Sequence, residues 1–208
     1  MTKHILFDLD NTLYSIRHGL EDNVHNLIEE YIIPRLDLPP DECIRQWKDR
    51  GKKYGTTIEW LIFEKKFTAI DEYHHYVHPE NEADALQPDP DLRSFLMNLP
   101  CPCSVLTNSP RFHADRIISK LGIENIFQNI FDIHYIEFKS KPSAFGYLKV
   151  LNALGLKPEE VLFVDDIARY VQGYIDIGGR GILLDELDRD IDFPHTRIKS
   201  IYELKRYL

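Results

Sequence analysis

The chain has 208 residues, 43% hydrophobic and 28% charged, which excludes wholesale disorder, a collagen-like fibre and a disulfide scaffold. That length sets one to two domains and a core large enough to fold without a disulfide or zinc staple. With 25 Lys and Arg against 34 Asp and Glu, the formal charge of −9 opposes non-specific nucleic-acid binding but leaves room for a small anion in a locally positive pocket.

Ile5-Leu6-Phe7 is the first of five short apolar runs. Val105-Leu106, a weaker run from Ile133 to Ile136, Val161 to Val164, and Ile182 to Leu184 follow. Brief unbroken apolar runs predict strands buried on both faces of a parallel sheet. Residues 15–87 break this rhythm with helical spacing and no convincing strand. Leu20, Val24, Leu27, Ile28, Tyr31 and Ile32 form one helical stripe, ended by Pro34, Pro39 and Pro40. Further helices are predicted over 41–54, 57–67 and 69–77. Gln87-Pro88-Asp89-Pro90 reads as a return linker, with Asp89 or Asp91 capping the next helix. Ser109 as N-cap and Pro110 as first helical residue open a helix through Ala114, Ile117, Ile118 and Leu121, stopped by Gly122. Pro142 opens another that ends at Gly155. The alternation predicts an α/β fold, a doubly wound parallel sheet built from residues 1–14 and 88–208, with a helical insertion over 15–87.

Cys43, Cys101 and Cys103 make an odd count, and Cys101-Pro102-Cys103 lacks the two-residue spacer of a redox or zinc motif. Reduced packing cysteines are expected. The first residues form no signal-peptide apolar region, and no uncharged apolar stretch reaches about 18 residues. The expectation is a cytoplasmic protein without a membrane span.

Polar residues gather where strands end. The first run leads into Asp8-Leu9-Asp10-Asn11-Thr12, the second into Thr107-Asn108-Ser109, and the fourth into Asp165-Asp166. Ligands of open parallel sheets bind at the carboxyl ends of the strands. Asp8 and Asp10 point the same way while the backbone stays extended. With Asp166 or Asp165 beside them, crowded carboxylates need compensation, and Mg²⁺ held by a few carboxylates plus substrate phosphate supplies it. A carboxylate can act as nucleophile and form an aspartyl-phosphate, while a second one protonates the leaving alkoxide and then deprotonates water. Thr107 and the Asn108 N–H would donate to phosphoryl oxygens, and Lys141 would add a positive charge.

An apolar strand ending Asp8-x-Asp10-x-Thr12, followed by Thr107, Lys141 and Asp165-Asp166, resembles the haloacid dehalogenase-like superfamily across nearly the whole chain. The resemblance implies a Rossmann-like core with residues 15–87 as its helical cap. It implies Asp8 as nucleophile, and Asp10 as general acid and base that also gives a backbone carbonyl to Mg²⁺. It implies Thr107 and Lys141 as phosphate and nucleophile stabilisers, with Asp166, and Asp165 beside it, completing the metal site. Dehalogenase members lack the second acid and phosphatases have it, so Asp10 implies phosphate ester chemistry. Tyr54-Gly55-Thr56-Thr57, Leu86-Gln87-Pro88-Asp89-Pro90, His113-Ala114-Asp115-Arg116 and Lys141-Pro142 resemble the pyrimidine 5′-nucleotidase branch. That implies a nucleoside 5′-monophosphate as the small phosphorylated substrate, with Asn108 among its contacts. Ile167 and Tyr170 depart from the Ser and Asn usual in that branch.

Other residues read two ways. His74, His75 and His78 lie within the insertion, away from the carboxylates, and are expected to be solvated or packed, with substrate and metal contact as alternatives. His113 carries the same ambiguity. Tyr14, Arg17 and His18 are either substrate contacts or hinge and surface residues. Tyr54 and Trp60 either stack on a base or pack in a core. Rival functions are a phosphomutase, a receiver-like signalling module and a non-catalytic binding protein, the last suggested by Ile167 and Tyr170.

Overall fold

In the computed structural model, which describes residues 1–208, His4–Phe7 forms β1 with all four residues buried. Its neighbours are β2, Cys103–Leu106, and β4, Val161–Asp165. With β3 (Ile130–Phe131), β5 (Arg180–Leu184) and β6 (Arg197–Ile198), they make one six-stranded sheet in the order β3-β2-β1-β4-β5-β6. Every pairing is parallel. All strands therefore deliver their carboxyl ends to one edge, and β1 lies where the order reverses.

Period-two alternation explains why these runs are apolar throughout. Ile5, Phe7, Val105, Leu162 and Val164 enter one hydrophobic cluster, with α5 (Pro90–Met97) and α6 (Arg111–Lys120). Leu6, Leu106, Val161 and Phe163 enter the other, with α7 (Ala144–Leu154) and α8 (Ala168–Asp176). Each fully buried Leu, Val, Ile or Phe contributes about 1.5–3 kcal/mol, so a polar residue within β1 or β4 would destabilise the sheet centre.

Between β1 and α5 lie α1 (Leu20–Ile32), α2 (Pro40–Asp49), α3 (Thr57–Lys65) and α4 (Ile70–Val77), with no strand. The Leu20 stripe folds as the spacing predicts, and Thr56 rather than a charged residue caps α3 by accepting from the Glu59 N–H. Asp89 caps α5 by accepting from the Leu92 N–H. None of the helices is long and apolar enough to cross a membrane.

Three local expectations fail. The run from Ile133 to Ile136 is a turn, and the third strand is Ile130–Phe131 just before it. Ile133 and Ile136 are fully buried, so apolar character there reflects burial of a loop rather than a strand. Ser109 does not cap α6. Pro110 occupies that position, and the Ser109 hydroxyl turns to Asp10 instead. Pro142 does not open α7, which begins at Ala144 after Ser143; Lys141-Pro142, a cis peptide bond, lies in the loop before it.

Candidate active site

Asp8 follows β1 directly. Asn11 adopts a left-handed φ of 56°, which Asn tolerates better than most residues, and this turns the chain so that the Thr12 hydroxyl comes back to within 3.4 Å of Asp8 Oδ2. Asp165 ends β4, and Lys141 arrives on the loop before α7. The buried Lys141 Nζ donates to Asp8 Oδ1 at 2.6 Å and to Asp165 Oδ2 at 2.7 Å. One cation thus joins groups 133 and 24 residues away in sequence.

Asp8, Asp165 and Asp166 bring carboxylate oxygens within 4.8 Å of one another. Burial, partly offset by Lys141 and reinforced by Asp165 and Asp10, pushes Asp8 up to about 8. Burial and the charges of Asp165 and Asp8 push Asp166 up to about 9. Lys141 moves upward too, because the attraction of Asp165 and Asp8 outweighs its burial. Three carboxylates against one ammonium leave negative charge in excess, and the donor set is all oxygen. A hard divalent cation such as Mg²⁺ fits both facts. Asp8 and Asp165 both bind Lys141, and Asp165 also accepts from the Ile167 N–H at 2.8 Å, so Asp166 is the freer of the two carboxylates beside Asp8.

Thr107 follows β2, and its hydroxyl accepts from the Ser109 N–H at 3.0 Å. The Asn108 side chain is engaged with the Lys141 peptide. Its Oδ1 accepts from the Lys141 N–H at 2.9 Å, and its Nδ2 donates to the Lys141 carbonyl at 3.3 Å. The amide therefore clamps the peptide that carries Lys141. The backbone N–H groups of Leu9, Asp10 and Asn108 have no protein acceptor. Free donors near an ammonium suit a multiply charged oxyanion.

Asp10 is turned to different partners. It accepts from the Tyr14 hydroxyl at 2.7 Å, the Ser109 hydroxyl at 3.0 Å and His113 Nε2 at 2.8 Å. Burial would raise its carboxyl, but His113 and Tyr14 outweigh this and hold it well below the carboxylate range. His113 Nδ1 lies 2.9 Å from Glu82 Oε1, and Glu82 also binds His78 Nδ1 at 2.8 Å and Arg116. Burial would lower His113, but Asp10 and Glu82 raise it to about 10. Burial would raise Glu82, but His113 and His78 hold it at about 2.

This chain corrects the expectation that the insertion's histidines stand away from the carboxylates. His78 reaches Asp10 through Glu82 and His113. His74 lines the same cavity, while exposed His75 stacks on Phe112 at 4.5 Å. Tyr14 binds Asp10, Arg17 pairs with Glu186 instead of facing the cavity, and Tyr54 and Trp60 are buried on Glu64. The last two are packing residues. Glu82 carries no motif of its own, and for His113 neither the His113-Ala114-Asp115-Arg116 match nor the helical phase of α6, which turns it inward, names Glu82 or Asp10 as its partner.

The linkage fixes a pH window. Glu82's depressed carboxyl contributes stability that is complete above its ordinary value of 4.5 and is lost as pH falls toward 2. His113's raised imidazolium contributes stability that is complete below 6.5 and is lost as pH rises through 10. Glu82→Gln should therefore destabilise by on the order of 3 kcal/mol between about pH 4.5 and 6.5, with the deficit shrinking on both sides. Urea unfolding of both proteins across pH measures it, and a pH-independent deficit contradicts the ion-pair account.

The inserted helices are pinned to this loop. The Tyr170 hydroxyl donates to the Gly55 carbonyl at 3.0 Å, Arg169 donates to the Gly51 and Gly55 carbonyls, and Ser140 binds Glu59. A Cβ on Gly55 would stand 1.8 Å from the Lys141 carbonyl oxygen. Backbone cannot yield cheaply there, so Gly55→Ala should cost about 1–3 kcal/mol and displace Lys141. Thermal unfolding checks this, and unchanged stability contradicts the close approach.

The model of the haloacid dehalogenase-like hydrolase family matches residues 2–177. The chain is 27% identical over 190 residues to Phosphate metabolism protein 8 of Saccharomyces cerevisiae, across 85% of this chain but 59% of that protein. It is 24% identical over 177 residues to a phosphoglycolate phosphatase of Haemophilus influenzae, across 79% of this chain and 77% of the other. Its fold is similar to that of a HAD phosphatase from Thermococcus onnurineus, with a TM-score of 0.66, 19% identity and 99% and 97% of the two chains covered. The chain belongs to the haloacid dehalogenase-like hydrolase family.

Proposed function

We propose that the chain is a Mg²⁺-dependent phosphomonoester hydrolase that works through an aspartyl-phosphate on Asp8. The observation that carries this reading is the single buried Lys141 ammonium shared by Asp8 and Asp165, with Asp166 beside them and free backbone donors around them. Asp8 attacks phosphorus, the bond to the leaving oxygen breaks, and Asp10 protonates that oxygen. Asp10 then takes a proton from water, the water oxygen attacks phosphorus, and the bond to Asp8 breaks to release phosphate. His113, 2.8 Å from Asp10 and held as an imidazolium, is the cationic proton source for the first step.

Lys141 favours the ionised form of Asp8 and faces the phosphoryl charge, and Thr107 and the Leu9, Asp10 and Asn108 N–H groups receive its oxygens. Asp8, Asp166 and the Asp10 carbonyl would hold Mg²⁺, which would screen the charge that gathers on the phosphoryl oxygens. Residues 15–87 would serve as the cap that excludes bulk water and selects the leaving group. Three unpaired cysteines suit the reducing cytoplasm in which we place the enzyme.

For the ester, sequence resemblance supports a nucleoside 5′-monophosphate, and the Haemophilus relative supports phosphoglycolate. A phosphate-release screen over nucleotides, phosphoglycolate and sugar phosphates, with Mg²⁺ and with chelator, tests the reading. Chelation should lower release at least about 100-fold. Release unaffected by chelation contradicts it, and isomerised sugar phosphate without release supports a mutase instead.

A further inference from the structure

The cavity over Asp8 also has a wall from the inserted helices, and that wall carries an uncompensated cation. Arg50, just past α2, is half-buried and lines the cavity with Thr57, Tyr73 and His74. Its Nε donates to the Thr57 hydroxyl at 2.8 Å, its Nη1 donates to the Trp47 carbonyl at 3.0 Å, and its guanidinium lies 5.1 Å from the Trp47 ring centre. Nη2 has no acceptor. No carboxylate pairs with Arg50, and the charged neighbour that acts on it is another cation, Arg169, which is spent on the Gly51 and Gly55 carbonyls.

His74 adds a second unmatched group. It is 3% exposed, lines the same cavity, and its ring makes no hydrogen bond within the protein. Burial and the neighbouring histidines lower it to about 3, so it meets a ligand as a neutral imidazole. A ring with no hydrogen bond to the protein and a half-buried guanidinium with a free Nη2, both on this wall, are groups that a ligand can complete.

We infer that Arg50 and His74 form a subsite for a carboxylate on the leaving group, so that the preferred substrate is the phosphate monoester of a short hydroxy acid. This rests on the phosphatase reading and specifies its substrate. One positive charge matches one carboxylate better than a second phosphate dianion, and the guanidinium fork matches carboxylate geometry. The cavity, about 170 Å³, is smaller than the roughly 300–1,000 Å³ of sites for drug-sized ligands, which favours a short ester over a nucleotide.

The test compares 2-phosphoglycolate with ethyl phosphate, which lacks the carboxylate. The wild-type enzyme should favour 2-phosphoglycolate in kcat/KM by at least about tenfold, the worth of a charge-assisted contact. Arg50→Gln should bring that ratio close to one. Lys48→Gln, which removes an exposed charge from α2, should keep it. If Arg50→Gln does not fold, Arg50→Lys, which keeps the charge but not the fork, should lower the ratio at least about threefold. A wild-type ratio near one, a nucleoside 5′-monophosphate preferred over 2-phosphoglycolate, or a ratio unchanged in both Arg50 variants overturns the inference and leaves the phosphatase reading standing. Failure to hydrolyse any ester, p-nitrophenyl phosphate included, overturns both.

Discussion

Asp8→Asn lowers phosphate release by at least about 10⁴-fold, the scale on which loss of a covalent nucleophile acts. An amide of the same shape cannot form the acyl phosphate. Stability should move the other way. Asp8 sits in a cluster with more carboxylates than cations, and its carboxyl is pushed up to about 8 by burial and by Asp165 and Asp10, against Lys141. A raised carboxyl value means that the folded state resists ionisation, so stability without a cation falls as pH rises from 3.8 through 8. Asn removes that penalty. The variant should therefore unfold with a flatter dependence on pH across this range than the wild type. Phosphate release and thermal melts on the same samples measure both effects. Near-wild-type release contradicts the assignment of Asp8 as nucleophile.

Lys141→Met does the opposite to stability. It removes the one ammonium that Asp8 and Asp165 share, each at 2.7 Å or less. Removing one partner of a buried pair leaves an unpaired charge and costs about 3–5 kcal/mol. The two carboxylates can recover part of that by taking up protons, so the deficit should be largest at alkaline pH and shrink as pH falls. Turnover should fall as well, because Asp8 loses the charge that favours its ionised form. Denaturant unfolding of the variant at acid and alkaline pH gives the answer. A variant as stable as the wild type at alkaline pH would show that Lys141 does not hold the cluster together. Together the two substitutions separate chemistry from architecture: one loses turnover without losing stability, and the other loses both.

Much of this was legible in the sequence because a strand buried on both faces is a continuous apolar run, and the residue that ends it is marked by its polarity. Asp8, Thr107 and Asp165-Asp166 each stand directly after such a run. Parallel pairing then sends all of them to one edge without further information. The failures have the same root. Ile130–Phe131 and Arg197–Ile198 are two-residue strands, too short to show a period. Ile133 and Ile136 are apolar because a turn buries them. That the Asn108 side chain serves the Lys141 peptide, across 33 residues, is a contact that its place beside Thr107 does not show.

The Asp10, His113, Glu82 and His78 chain was not legible for a different reason. It joins the loop after β1, the buried face of α6, the linker before α5 and the end of α4. No local pattern marks a histidine that a distant carboxylate will charge. Arg50 and His74 are similar, since their meaning lies in partners they lack, and a sequence does not show a missing partner. Tyr170 shows how a departure from a family pattern acquires a role: its hydroxyl ties α8 to the Gly55 carbonyl, beside the loop that carries Lys141.

The most direct test of the account is to find where the phosphoryl group goes. The enzyme is mixed with a substrate from the screen and Mg²⁺, quenched in acid within the first turnover, digested and mapped by mass. The account predicts one phosphoryl group on the peptide that contains Asp8, absent in Asp8→Asn. A phosphoryl group on any other residue, or release with no covalent species in a single turnover, would contradict it.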